Sequence, residues 1–81
     1  MSKFQTALDA FLKELEGGEV AFAEMIGSTQ ASVNRYRNGK RFPDAKMARV
    51  MDEKSDGKIP FSVWQSAFME RSGLEKEADA A

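Results

Sequence analysis

The stretch from Phe22 to Pro43, FAEMIGSTQASVNRYRNGKRFP, constrains the fold of this chain more than any other. An apolar stripe at helical spacing, Phe22, Ala23 and Ile26, runs into Gly27, and Ser28-Thr29-Gln30 directly after it has the composition of a helix start. A second stripe, Val33 and Tyr36, runs into Asn38-Gly39, a helix stop. That order implies two short helices joined by a tight turn. Ala23 leaves room for the second helix to cross close over the first. Gly27 supplies the left-handed backbone that the turn needs, and the Thr29 hydroxyl can cap the helix that follows.

Similar punctuation divides the rest of the chain, which reads as all-α, a compact bundle of about five short helices. The first runs from about Ser2 or Lys3 to Glu16 on Phe4, Ala7, Leu8, Phe11, Leu12 and Leu15, and Gly17-Gly18 closes it. The second covers about Glu19 to Ile26 and the third about Thr29 to Asn38. The fourth starts at Pro43-Asp44 and runs to about Lys54 on Met47, Ala48, Val50 and Met51, with Ser55-Asp56-Gly57 as a turn. The fifth spans Pro60 to Arg71 with Phe61, Val63, Trp64, Ala67 and Phe68, and Ser72-Gly73 is expected to break it. Residues 1–71 then form one domain and 72–81 a flexible, acidic, Ala-rich tail. The terminal Ala80-Ala81 resembles the small apolar ends that bacterial proteases read as degradation signals.

Charge is unevenly placed along this frame. From Thr29 to Arg49 the basic residues are Arg35, Arg37, Lys40, Arg41, Lys46 and Arg49 against Asp44 alone, a net of +5, while the segments on either side carry −3 each. The whole chain is therefore acidic, with a net charge of −1 and a pI of about 5.4. A partner feels the local field of one face, however, and the basic face fits a polyanion.

Composition excludes several function classes. With 81 residues the chain has room for one small core and too little for a scaffold carrying an elaborate active site. The absence of cysteine rules out disulfides and thiolate ligands; the absence of histidine removes the usual zinc ligand and the usual general base together. Serines lack a base, the carboxylates are scattered on solvated faces, and nothing around Gly17-Gly18 resembles a phosphate loop, so neither an enzyme nor a cofactor or metal is expected. Met25, Met47, Met51 and Met69 read as adaptable core filler. No apolar run approaches the roughly 18 residues that span a bilayer, and the N-terminus has acids where a signal peptide has an apolar stretch. A cytoplasmic, nucleoid-associated protein with no membrane partner and no small-molecule ligand is the expectation.

The Phe22 to Pro43 stretch resembles the helix-turn-helix of the lambda-repressor and Cro superfamily. In that family a small residue follows an apolar one, glycine lies four further on, and a Gly-Lys-Arg-x-Pro connector follows the recognition helix. The strict likeness covers about a quarter of the chain, and Asn38-Gly39-Lys40-Arg41 with Pro43 is its most specific part. The resemblance implies sequence-specific binding of double-stranded DNA by a transcriptional regulator, a repressor or dual regulator of phage or mobile-element type, whose occupancy blocks or recruits RNA polymerase. It implies that Gln30, Ala31 and Arg35 face bases with Ser32 and Asn34 beside them, and that Thr29, Arg37, Asn38, Lys40, Arg41 and Lys46 meet phosphate. Two positions depart from the pattern. Glu19 stands where relatives use glutamine to touch phosphate, and Arg37 stands where they carry an acid in an internal ion pair.

The C-terminal KIPFSVWQSAF admits two readings. Trp64 closes the core against the first helix, or Phe61, Trp64, Phe68 and Met69 form the seam of a homodimer that sits on a two-fold operator. Both hold together if Phe61 and Trp64 lie inside and Phe68 or Met69 faces a partner. The competing function is a helical protein-interaction module, or antitoxin-like subunit, whose basic helix binds an acidic partner.

Overall fold

Five α-helices follow one another, with no strand among the described residues: α1 Lys3–Glu14, α2 Gly18–Ile26, α3 Gln30–Arg37, α4 Ala45–Lys54 and α5 Phe61–Ala80. The computed structural model describes residues 2–80, with side chains from Ser2 to Arg71. The all-helical class read from the sequence is the class found.

Each start and stop has a local cause. At the head of α1 the Ser2 hydroxyl accepts from the Gln5 backbone N–H, and the Gln5 side chain accepts in return from the Ser2 N–H, a reciprocal capping box. Gln5 also reaches across the fold, where its Nε2 donates to the Arg37 carbonyl at 3.4 Å and ties the start of α1 to the end of α3. α2 ends at Gly27, whose φ of 69° is left-handed, with Ser28 N–H donating to the Ala23 carbonyl at 2.8 Å. Thr29 then caps α3, its Oγ1 accepting from the Ser32 N–H at 3.1 Å as expected.

Gly39 closes α3 in the same way at φ 73°, with Lys40 N–H donating to the Arg35 carbonyl at 2.9 Å. Glycine suits this left-handed conformation, and a Cβ there would stand 2.6 Å from Gln5 Nε2 and push that amide aside. Asp44 caps α4 by accepting from the Met47 N–H at 2.8 Å, with Pro43 just before it. Between α4 and α5, the buried Ser55 hydroxyl accepts from the Ile59 N–H, and the Asp52 carboxylate accepts from the Phe61 N–H at 2.8 Å.

The core is one cluster. Phe4, Leu8 and Leu12, four residues apart on α1, meet Phe22, Ala23 and Ile26 of α2, Val33 and Tyr36 of α3, Ala48 and Met51 of α4, Ile59, and Trp64 and Ala67 of α5. Burying a side chain such as Phe4 or Phe22 completely contributes about 1.5–3 kcal/mol each. Ala23 is buried under α3, the close approach its small size permits. Val20, also apolar and on α2, lies 52% exposed. The α3 backbone lies against α2 and α1 and, among the described residues, not against that of α4 or α5, which leaves one side of the helix open.

At the C-terminus one of two readings is found and one expectation changes. Trp64 is buried, and its indole N–H donates to the Pro43 carbonyl at 2.9 Å, so it belongs to the core and not to a seam. α5 also continues through Ser72-Gly73 to Ala80, because a single glycine weakens a helix by only about 1 kcal/mol without a proline or a cap to end it. The side chains of 72–81, and with them the expected flexible tail and the Ala80-Ala81 signal, lie outside the described residues.

Candidate nucleic-acid interface

Burial of Val33 and Tyr36 against α1 and α2 fixes which side of α3 faces out. Gln30, Ala31, Asn34, Arg35 and Asn38, at three- and four-residue spacing, are all exposed and form one stripe along that side. Arg35 lies on it and enters no ion pair among the described residues. Ser32 is different: it is half-buried, and its Oγ is 3.1 Å from Thr29 Oγ1, so both hydroxyls serve the helix start.

Beyond the helix the chain turns through Gly39 into Lys40 and Arg41, both exposed, and Lys46 is exposed on the first turn of α4. The loop between α3 and α4 is held from two sides. The Gly39 turn packs on Gln5, and the Pro43 carbonyl takes the Trp64 N–H. Phe42 packs on Phe4 at 5.5 Å and lies under the Arg71 guanidinium at 5.1 Å. Backbone that would otherwise be a mobile connector is anchored to α1 and α5.

Arg37, expected on phosphate, is instead half-buried against acids of α1 and α2. Its Nε and Nη2 both lie 2.7 Å from Asp9 Oδ1, and Nη1 lies 3.4 Å from Glu19 Oε2. Lys13 completes the group at 2.9 Å from Asp9 Oδ2. The acids of this group come from α1 and α2, and the base they share, Arg37, comes from α3. Hydrogen bonds from Lys13 and then Arg37 hold the Asp9 carboxyl below its ordinary value, and the bond to Asp9 raises Arg37.

The sign of the linkage follows. An acid with a lowered folded pKa contributes stability that is complete above the unfolded value, about 3.9, and is lost as pH falls through the folded one. The melting-temperature advantage of the wild type over Asp9→Asn is therefore expected to be constant from about pH 5 upward and to shrink below about pH 4. Thermal melts of the two proteins across that range check it, and a pH-independent difference would mean that the ion pair is not its source.

Glu19 is the residue whose role the sequence did not disclose. Its carboxylate, 14% exposed, accepts from Asn34 Nδ2 at 3.1 Å and Gln30 Nε2 at 3.5 Å as well as facing Arg37. Asn34 in turn accepts from Asn38 Nδ2 at 3.1 Å. Its departure from the glutamine that the resemblance implies at this position was the available signal. The partners, 11 to 18 residues away, were not visible in the sequence.

Of the four proposed seam residues, Trp64 is buried, and Phe61 is half-buried against Trp64 with the Arg49 guanidinium 4.2 Å over its ring. Phe68 and Met69, 41% and 65% exposed, remain at the surface. No known protein family, curated protein or solved structure matches this chain. Its function has to be argued from the interface itself. No helix among the described residues is long and apolar enough to cross a membrane.

Proposed function

We propose that this chain binds double-stranded DNA sequence-specifically as a transcriptional regulator of phage or mobile-element type, with α2 and α3 acting as a helix-turn-helix. The carrying observation is that α3 exposes Gln30, Ala31 and Arg35 on one stripe, with Lys40 and Arg41 on an anchored loop at its end. In this reading α3 enters the major groove. Gln30 pairs with adenine, Arg35 pairs with guanine, Ala31 meets a thymine methyl, and Lys40, Arg41, Lys46 and Asn38 fix the register on phosphate. A homodimer, joined through the surface that carries Phe68 and Met69, places two such helices about 10 base pairs apart on a two-fold operator, where it blocks or recruits RNA polymerase.

Selection of binding sites from random duplex DNA tests the reading. The wild type is expected to enrich a two-fold site. Gln30→Ala and Arg35→Ala are each expected to relax preference at particular base pairs, at a cost of about 1–3 kcal/mol, whereas Lys40→Ala weakens all sequences alike. If no site is enriched, or if base and phosphate variants behave identically, the chain is not a sequence-specific regulator, and a module for an acidic protein partner takes its place.

A further inference from the structure

Resting on that DNA-binding reading, we propose that Trp64 of α5 is a positioning residue for the phosphate grip: its indole N–H holds the Pro43 carbonyl inward and so keeps Lys40 and Arg41 set for the DNA backbone. The Lys40–Pro43 stretch is pinned at both ends. At its head the Lys40 and Arg41 N–H groups share the Arg35 carbonyl, at 2.9 and 3.4 Å. At its foot the buried indole N–H meets the Pro43 carbonyl at 2.9 Å. Proline fixes its own φ and restricts the residue before it, so the direction of that one carbonyl carries back through Phe42 to Arg41. Phe42 itself packs on Phe4 and, at 6.5 Å, on Phe68, the ring stacked on Trp64.

Removing the donor has a defined effect. A carbonyl buried without a partner is unfavourable, and the nearest remedy is to turn it out to water. That swing moves the chain on which Arg41 stands. The two cations must then be reordered each time DNA binds, and the free energy of ordering them is subtracted from affinity. The base-reading stripe is held separately, by Val33 and Tyr36 against α1 and α2. Trp64 therefore governs how tightly the protein binds and not which sequence it prefers.

The test measures affinity for an enriched duplex at low salt, at a temperature where thermal melts show every variant folded. Trp64→Phe is expected to bind about fivefold to tenfold more weakly at all base pairs alike, leaving the preferences that Gln30→Ala and Arg35→Ala relax as they are in the wild type. In a Lys40→Ala/Arg41→Ala background the same substitution is expected to change affinity by less than about twofold, because no grip is left to position. Leu12→Ala, a buried truncation on α1, also lowers the melting temperature but is expected to leave affinity within about twofold of wild type. A role in stability alone would treat Trp64→Phe and Leu12→Ala alike. Full affinity in Trp64→Phe, an altered base preference, or an equal loss in both backgrounds overturns the proposal and leaves DNA binding standing.

The wild type gives an independent answer if Trp64→Phe does not fold. Coupling is reciprocal, so a bound duplex is expected to slow hydrogen exchange of the indole N–H by about fivefold more than that of the Ile59 N–H, which donates to Ser55 between α4 and α5. Equal slowing of the two overturns the proposal. Failure of the wild type to enrich any site overturns the DNA-binding reading, and this proposal with it.

Discussion

Trp64→Ala is expected to lower stability by about 3–5 kcal/mol, the cost of emptying a large, nearly buried aromatic site. For a domain of this size that is a fall in melting temperature of roughly 15–30 °C, readable by circular dichroism. The indole stacks on Phe68 at 5.0 Å and packs tilted against Phe61 at 5.1 Å, so its loss loosens the start of α5 as well as removing its own contacts. Trp64→Phe separates the two contributions. It keeps most of the apolar mass but leaves the Pro43 carbonyl without its donor, a cost of about 1–3 kcal/mol for a buried acceptor. A melting temperature within a few degrees of wild type for Trp64→Ala would return the residue to the dimer-seam reading.

The second large effect is on affinity. If the proposed dimer binds DNA with the exposed cations Lys40, Arg41 and Lys46 each neutralising one phosphate, about six per dimer, the logarithm of the binding constant is expected to fall with the logarithm of salt with a slope near −5. Between 50 and 200 mM salt that is a loss of about a thousandfold, measurable by fluorescence anisotropy on an enriched site. Lys40→Ala, present in both protomers, is expected to make the slope shallower by about 2. Arg37→Gln is expected to leave the slope unchanged although it lowers the melting temperature, because that guanidinium is already neutralised by Asp9 and Glu19. An equal change of slope for the two variants would put Arg37 back among the phosphate ligands.

What the sequence disclosed was whatever is decided locally. Thr29, Asp44, Gly27 and Gly39 mark helix ends because a cap or a left-handed turn is a matter of a few neighbouring residues, and each sits where that chemistry requires. The buried and exposed sides of α3 followed from the spacing of Val33 and Tyr36 alone. Pairings between distant residues were hidden. Arg37 lies 28 residues from Asp9 and 18 from Glu19, and a charge count along the chain cannot tell a cation facing solvent from one between two acids. Trp64 was ambiguous for a related reason: apolar periodicity says that a face is covered, but not by what, and the Pro43 carbonyl that settles it is 21 residues away. Ser72-Gly73 misled in the opposite direction, since a weak local stop signal had no partner to enforce it.

The bond from Trp64 to Pro43 has an optical consequence. The chain contains one tryptophan, and its ring nitrogen is attached to the backbone that follows Lys40 and Arg41. Indole emission depends on the surroundings of that nitrogen, so the protein carries its own unlabelled reporter of the basic loop. If the loop shifts when a duplex or any other polyanion seats on it, the emission of Trp64 shifts with it, although no atom of the ring touches the ligand.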